Sequence, residues 1–168
     1  MAERIFQQEL ERGARHAGWH VVSIPDAGKG AAPRVYDLGL LCDGEYFAVE
    51  LKEVAGKMYS WNINTLRPHQ EENLLSAESR GGTGLVICNF AIQLSAKNQK
   101  RFGVETVKRA FAVRIWSLLA ERDECRRSFD LDWWIENGTE LEPITGLTTS
   151  EGKPLKAWSP NPILARWP

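Results

Sequence analysis

The sequence lacks the segments that would hold a chain in a membrane or send it out of the cell. No apolar run approaches the roughly 18 consecutive residues that a membrane-spanning helix requires. Residues 1–4 lead directly into an amphipathic pattern, without the apolar stretch of a secretory signal. We therefore expect a cytoplasmic protein that makes no contact with a membrane.

Cysteine and histidine are also scarce, with three of each in the chain. Cys42, Cys88 and Cys125 lie far apart, and the first two fall within apolar runs, which is typical of free thiols in a reducing compartment. No two cysteines have the spacing of zinc ligands, and the histidines form no cluster with them. Neither a structural zinc site nor a Cys–His nucleophile is expected.

The chain has almost no net charge, −1 at pH 7, which argues mildly against a nucleic-acid partner. The charge is unevenly distributed along the chain, because residues 97–127 contain nine basic and four acidic residues, a local excess of +5. A solvated surface is the simpler interpretation of this basic stretch. If a nuclease site exists elsewhere, the stretch becomes a candidate DNA-binding surface, with Lys100, Arg101, Arg126 and Arg127 as candidate contacts.

Hydrophobic periodicity predicts helices that alternate with strands. The predicted helices span residues 3–17, 69–80 and 116–125, and the predicted strands span residues 19–24, 35–41, 46–51, 84–90 and 111–113. Asp43-Gly44 is a strong signal for a two-residue hairpin between the second and third strands. This order predicts an α/β fold in which helices flank a central mixed sheet.

Three charged residues on the predicted hairpin point to metal chemistry. Asp37 lies early in the second strand, and Glu50 and Lys52 share one face of the third strand because they are two residues apart. The hairpin therefore brings two carboxylates and an ammonium group together. Asp37 is also consistent with a strand-edge residue, and Glu50 and Lys52 with a half-exposed pair. The apolar residues around the pair and the preceding Asp favour a site.

Such an oxygen-rich site suits Mg²⁺, for which Mn²⁺ is a substitute, with Asp37, Glu50 and the Leu51 carbonyl as predicted ligands. A metal of this kind supplies what phosphodiester cleavage needs, namely charge neutralisation and an activated water. Lys52 is predicted to hold the attacking water and to offset charge in the transition state.

Other residues are candidates to complete the site. Glu3 lies on the apolar face of the first helix and is a candidate acid, with Glu9 at the margin of that face as the alternative and helix-dipole stabilisation as the simpler interpretation. Gln70, in the first turn of the second helix, is a candidate partner of a water or phosphate, although a first-turn polar residue needs no such role. Trp61, in a predicted loop near the site, is a candidate to stack on a DNA base.

These residues resemble the PD-(D/E)XK nuclease superfamily, and within it the RecU-type Holliday-junction resolvases in a compact form like those of phages and archaea. The resemblance rests on Glu3, Asp37, the Glu50-Leu51-Lys52 triplet, the Pro68-His69-Gln70 segment and Gly81-Gly82. A later stretch also fits, from Arg126-Arg127-Ser128-Phe129 to Asn137-Gly138. The match covers residues 3–142, which predicts a nuclease domain over residues 1–142. The high density of Pro and Gly from Pro143 onward predicts an extended C-terminal arm over residues 143–168.

The resemblance implies a restriction-endonuclease-like core and a homodimer that cuts opposed strands of a four-way DNA junction. It implies Asp37 and Glu50 as metal ligands, Lys52 as the catalytic lysine, Glu3 as the helix acid and Gln70 as a supporting group. It also implies a prokaryotic or phage-encoded protein that acts in recombination and repair.

One departure from the RecU pattern concerns the loop before the metal Asp. The family has a long stalk insertion there, whereas this chain has only the short Gly- and Pro-rich segment 25–33. Lys29 and Arg34, in and after this segment, are candidate DNA contacts. The apolar surplus of the C-terminal half is the predicted source of a dimer interface: Phe111, Ile115, Trp116, Leu118, Leu119, Trp133 and Trp134.

Other functions fit the same sequence. A flap nuclease or a restriction-type subunit would share the metal site and differ in substrate. A non-catalytic DNA-binding module would have no need for the cluster of Asp37, Glu50 and Lys52. A plain α/β domain with an accidental Glu-x-Lys strand remains the least specific alternative.

Overall fold

The computed structural model describes residues 2–23 and 36–166, without the side chains of residues 2, 3 and 23. Within these ranges, no helix is long and apolar enough to cross a membrane. The roles predicted from the sequence for Lys29, Arg34 and the side chain of Glu3 concern groups that lie outside the described residues.

The described chain alternates between helices and strands. The helices are α1 (Ala2–His16), α2 (Pro68–Ser79), α3 (Ala96–Phe102), α4 (Ile115–Asp123), α5 (Leu131–Asn137) and α6 (Asn161–Arg166), and a 3-10 turn spans Ile63–Thr65. The strands are β1 (His20–Ser23), β2 (Leu38–Cys42), β3 (Glu45–Gly56), β4 (Ser60–Asn62), β5 (Thr83–Gln93), β6 (Thr106–Arg114), β7 (Ser128–Asp130), β8 (Thr139–Glu140), β9 (Glu142–Ile144) and β10 (Ala157–Ser159).

Six strands form the central sheet in the order β1-β2-β3-β5-β6-β8. The pair β3 and β5 is parallel, whereas the other neighbouring pairs are antiparallel, so the sheet is mixed. Helix α2 connects the two parallel strands and runs back along the sheet, as such a crossover requires. The predicted α/β fold with a central mixed sheet flanked by helices is confirmed.

The sheet has apolar residues on both faces. One face packs against α1, where Phe6, Leu10 and Ala14 recur at helical spacing and are buried. The other face packs against α2, α4 and α5 through a cluster that includes Phe90 and Trp134. Alternate residues of β3 therefore enter different cores, which decides where each of its charged side chains lies.

The hairpin between β2 and β3 has the predicted turn at Asp43-Gly44. Both residues have positive φ, 51° and 86°, which a two-residue turn of this type requires. The turn sets the register that pairs Leu38 with Val49. Asp37 lies just before β2 rather than early in the strand, and β3 continues to Gly56, well beyond the predicted end at Leu51.

The C-terminal segment does not form the predicted extended arm. Strands β9 and β10 pair with each other, and Trp158 of β10 and Ile163 of α6 lie in the core beneath α1. The high content of Pro and Gly after Pro143 reflects the turns of this folded segment and not an absence of packing.

The predicted dimer interface is wrong for nearly all of its residues. Trp116 is exposed, at 54%, but the others lie in the core of the same chain: Phe111, Ile115, Leu118, Leu119, Trp133 and Trp134. These apolar side chains are needed within the chain itself, because they form the core between the helices and one face of the sheet.

Candidate metal-binding and catalytic site

Glu50 is a charged residue at the centre of the sheet. It lies on the α2 side of β3 between Ala48 and Val54, which are core residues, and it is only 1% exposed. A half-exposed pair of Glu50 and Lys52 was one interpretation of the sequence. Instead α2 covers this face as well, so the carboxylate is buried.

Two side chains contact the Glu50 carboxylate at the same oxygen. Lys52 Nζ donates to Glu50 Oε1 at 2.7 Å, and Gln70 Nε2 donates to that oxygen in a short hydrogen bond. Lys52 Nζ also lies 3.5 Å from Gln70 Oε1. The structure thus brings together three of the predicted site residues, Glu50, Lys52 and Gln70.

The start of α2 holds Gln70 in place. Pro68 occupies the first helical turn, where the missing N–H of proline costs nothing. The backbone N–H of Arg67 donates to Gln70 Oε1 at 2.9 Å, which leaves the Gln70 amide nitrogen directed at Glu50. The contact of Gln70 with Glu50 places the first turn of α2 over the middle of β3.

Asp37 lies beside β3 on the side of β2 and bonds to the two residues that flank Glu50 in the strand. Its backbone N–H donates to the Val49 carbonyl at 3.0 Å, and its Oδ2 accepts from the Leu51 N–H at 2.8 Å. The N–H and C=O of one strand residue point to the same side. The Leu51 carbonyl therefore faces the side of the strand on which Asp37 lies.

The residues of the cluster fit a hard divalent cation. Two carboxylates and a backbone carbonyl offer only oxygen, which Mg²⁺ prefers, and this ion is commonly held by one or two carboxylates. Within residues 2–23 and 36–166, no group of three or more His, Cys, Asp or Glu is placed to hold a metal. A site here therefore depends on Asp37, Glu50 and backbone oxygen, with the Glu3 side chain outside the described residues.

Glu9, the alternative helix acid, lies on the other face of the sheet. Its Oε2 accepts a hydrogen bond from Trp158 Nε1 at 3.2 Å, so its described partner is the C-terminal segment. It also lines a groove of about 640 Å³ between α1 and residues 143–158. This groove is mainly apolar and opens on the face opposite Glu50, so it does not belong to the carboxylate cluster.

Trp61 is not available to a DNA base. It lies in β4 and not in a loop, and it is only 4% exposed because its ring packs against Phe129 and Trp134. The prediction that it stacks on a base is therefore wrong. A tryptophan near a site is more often core than ligand, and the short pairing of β4 with β7 was not visible in the sequence.

The basic stretch 97–127 is partly neutralised by distant acids. Ion pairs join Arg101 to Asp132, Arg109 to Glu140, Arg114 to Glu78, Arg122 to Glu71 and Arg126 to Glu121. Four of these five acids lie outside the stretch, so its local excess of +5 overstates the surface charge. Lys100 and Arg127 are exposed, and no carboxylate of the described residues pairs with either.

A tyrosine pair at the β2–β3 junction was not predicted from the sequence. The hydroxyls of Tyr36 and Tyr46 share a short hydrogen bond, and the rings meet edge to face with centroids 6.4 Å apart. Burial raises the pKa of Tyr46 well above its usual range, and the bond to Tyr36 adds to the effect. The two residues are ten positions apart with no shared motif, so only the strand register could have revealed their contact.

Comparisons with known proteins add a distant similarity in fold. The sequence matches no protein-family model and no curated protein. Among solved structures, it is similar to Hjc of Archaeoglobus fulgidus, a Holliday junction resolvase from an archaeal hyperthermophile, with 20% identity and a TM-score of 0.49. The similarity covers 79% of this chain and 91% of that one. At this level it assigns neither a family nor a substrate to the chain.

Proposed function

We propose that this chain is a divalent-metal-dependent endodeoxyribonuclease of the restriction-endonuclease-like fold. The observation that supports this best is the buried Glu50, held by Lys52 and Gln70, with Asp37 bonded to the next residue of the same strand. Burying a carboxylate in a core is costly unless partners compensate. Clusters of this kind are concentrated at functional sites.

The proposed ligands are Asp37, Glu50 and the Leu51 carbonyl, with Mg²⁺ as the ion and Mn²⁺ as a substitute. When bound, such an ion supplies positive charge at the scissile phosphate and Lewis acidity toward a water nucleophile. Gln70 orients the Glu50 carboxylate, and the Leu51 N–H orients that of Asp37. Lys52 brings its ammonium group to the same place, where it holds the attacking water and offsets developing negative charge.

The proposed substrate is a four-way DNA junction, resolved by paired symmetric nicks in recombination and repair. This part of the proposal rests on the RecU-like combination of the metal motif with Pro68-His69-Gln70 and Gly81-Gly82. We further propose a homodimer that acts in the cytoplasm of a prokaryotic cell or of a phage host. Residues 1–142 would carry the catalytic machinery, with the packed C-terminal segment supporting α1.

Cleavage assays test the proposal directly. The protein is incubated with a mobile four-way junction, a flap and a linear duplex, each with Mg²⁺, Mn²⁺ or Ca²⁺. We expect paired nicks in the junction with Mg²⁺ or Mn²⁺, and binding without turnover in Ca²⁺, because Ca²⁺ accepts a looser geometry than the octahedral one of Mg²⁺.

The Asp37→Asn and Glu50→Gln variants should lose cleavage and keep junction binding, because binding depends mainly on contacts of Lys and Arg with phosphates. Melting curves verify that each variant is folded. Near-normal cleavage by either folded variant would exclude the proposed site. Preferential cleavage of the flap would support the proposed catalytic site, but it would identify the protein as a flap nuclease and not as a junction resolvase.

A further inference from the structure

Asp37 lies at a junction between β2 and β3. It precedes β2, and both a backbone and a side-chain hydrogen bond join it to β3. Groups around a metal-binding carboxylate commonly fix its orientation. Two tyrosines, one of them the neighbour of Asp37 in the chain, form a further connection between the two strands at this point.

Tyr36 is the immediate neighbour of Asp37 in the chain. Its hydroxyl is hydrogen-bonded to that of Tyr46, which lies on β3 opposite Leu41 of β2. Both rings pack against the core on the α2 side of the sheet, the side on which Glu50 lies. The bond therefore connects the residue before Asp37 to the strand that carries Glu50.

Gly39 shows that the Tyr46 ring also spans β2 after Asp37. A Cβ at Gly39 would lie 2.8 Å from the Tyr46 hydroxyl oxygen and 3.2 Å from a ring carbon. Any side chain at this position would displace the ring. Tyr46 thus contacts the chain at Tyr36 and at Gly39, one on each side of Asp37.

We propose that Tyr36 and Tyr46 are positioning residues that hold Asp37 against β3 so that its carboxylate serves the metal. This inference rests on the proposed function. The hydroxyl pair does not touch the substrate or the metal in this proposal. It acts through Asp37, and the absence of a side chain at Gly39 is what allows the ring to reach Tyr36.

The test uses Tyr36→Phe and Tyr46→Phe, which remove one hydroxyl each and keep the rings. Two quantities are measured: the hydrogen-exchange protection of the Leu51 amide, which donates to Asp37, and the affinity for Mn²⁺ by titration calorimetry. We expect each to fall about fivefold, the factor that corresponds to one lost hydrogen bond. The double variant should fall no further, because both changes break the same bond.

Two further variants separate positioning from general stability. Tyr59→Phe is the matched control, because Tyr59 also donates one hydroxyl hydrogen bond, to Asp132 at 3.0 Å, but it does so toward α5. It should leave the Leu51 amide and the Mn²⁺ affinity unchanged. Gly39→Ala should reproduce the loss with both hydroxyls present, because its Cβ displaces the Tyr46 hydroxyl.

The outcomes distinguish this inference from the proposed function. Lower melting temperatures in the Tyr→Phe variants with an unchanged Leu51 amide and unchanged Mn²⁺ affinity would overturn the positioning role. A wild-type protein that binds no Mn²⁺ would refute the proposed function. In that case the Leu51 amide still reports whether the tyrosine pair holds Asp37 in place, and an unchanged amide would overturn the inference on its own.

Discussion

At the scale of single residues, the energetics of the site centre on the Glu50 charge. The carboxylate is buried among apolar residues of β3 and the helices above it, and desolvation of such an ion costs several kcal/mol. The ammonium of Lys52 at 2.7 Å and the amide of Gln70 offset this cost. Removing either partner therefore affects both the stability of the fold and the orientation of the carboxylate.

Gln70→Ala should reduce cleavage by about 10- to 100-fold, the usual effect of removing a group that orients a metal ligand. The Glu50 carboxylate loses one of its donors, while the residues proposed to contact DNA are unchanged. Cleavage rates at saturating Mg²⁺ and junction affinities in Ca²⁺ measure the two effects separately. Gln99→Ala is the matched control, since the Gln99 amide makes one hydrogen bond to the Leu94 carbonyl at 2.8 Å. An equal effect of both variants on cleavage would show that Gln70 has no specific role in the site.

The sequence predicted the part of this cluster that depends on strand geometry. Glu50 and Lys52 share a face because they are two residues apart. The Asp43-Gly44 turn fixes the register of β2 on β3, which brings Asp37 to the residues on either side of Glu50. Burial of Glu50 could not be predicted, because it depends on where α2 docks. The Tyr36 and Tyr46 contact depends in addition on an open position at Gly39, which no local pattern reveals.

At the scale of elements, the contact between α1 and β10 determines how the C-terminal segment is held. Gly13 on α1 faces the backbone of Trp158, and a Cβ there would lie 1.9 Å from the Trp158 carbonyl oxygen. Backbone cannot move aside as the end of a flexible side chain can. The helix therefore requires glycine here, although glycine lowers helix stability.

Gly13→Ala should destabilise the protein by about 1–3 kcal/mol, the usual cost of overpacking a core. The sign of this change in the free energy of unfolding is informative, because replacing glycine by alanine at a solvent-facing helix position would instead raise stability by about 1 kcal/mol. Denaturant unfolding measures the change, and Gln8→Ala, at an exposed position of α1, is the control. If residues 143–168 formed a separate arm, the Gly13→Ala variant would be more stable than the wild type.

The elements differ in how well the sequence predicted them. Helices α1 and α2 and the β2–β3 hairpin carry their own local signals, namely apolar residues at helical spacing, Pro68 in a first turn and Asp-Gly at a turn. Strands β4 and β7 are three residues each and exist because they pair with one another. The C-terminal strands likewise depend on packing against α1, so their Pro- and Gly-rich sequence resembled an unpacked arm.

At the scale of the whole molecule, much of the positive charge of residues 97–127 is already balanced by carboxylates. The net charge is −1, and most arginines of residues 97–127 are paired with carboxylates. Exposed ion pairs contribute little to stability and can rearrange when a phosphate approaches. The cations without a described carboxylate partner are therefore the better candidates for phosphate contacts.

Lys100→Gln and Arg127→Gln should each weaken junction binding and reduce its salt dependence by about one unit of slope per lost phosphate contact. The reduction should be the same for junctions of different sequence, because phosphate contacts do not read bases. Binding measured over a series of salt concentrations gives the slope. Lys153→Gln removes one charge from an exposed loop in the C-terminal segment and serves as the control. An unchanged slope in the first two variants would show that Lys100 and Arg127 are solvated surface residues that do not contact DNA phosphates.

The final prediction concerns assembly: the protein should act as a symmetric homodimer. A four-way junction has near two-fold symmetry. A chain in which the described residues offer one proposed catalytic site can make two matched cuts only by pairing with a second copy. Light scattering at micromolar concentration should therefore give about twice 19.0 kDa. A mixed dimer with one Glu50→Gln subunit should nick a junction but fail to resolve it in a single encounter.

The interface must differ from the one that the sequence suggested, since Trp116 alone of those seven apolar residues is exposed. Trp116→Lys therefore tests whether α4 takes part, and a dimer that persists in this variant would place the interface elsewhere. A strictly monomeric protein that still makes paired cuts would contradict the prediction, because one cluster cannot then reach both strands in one encounter.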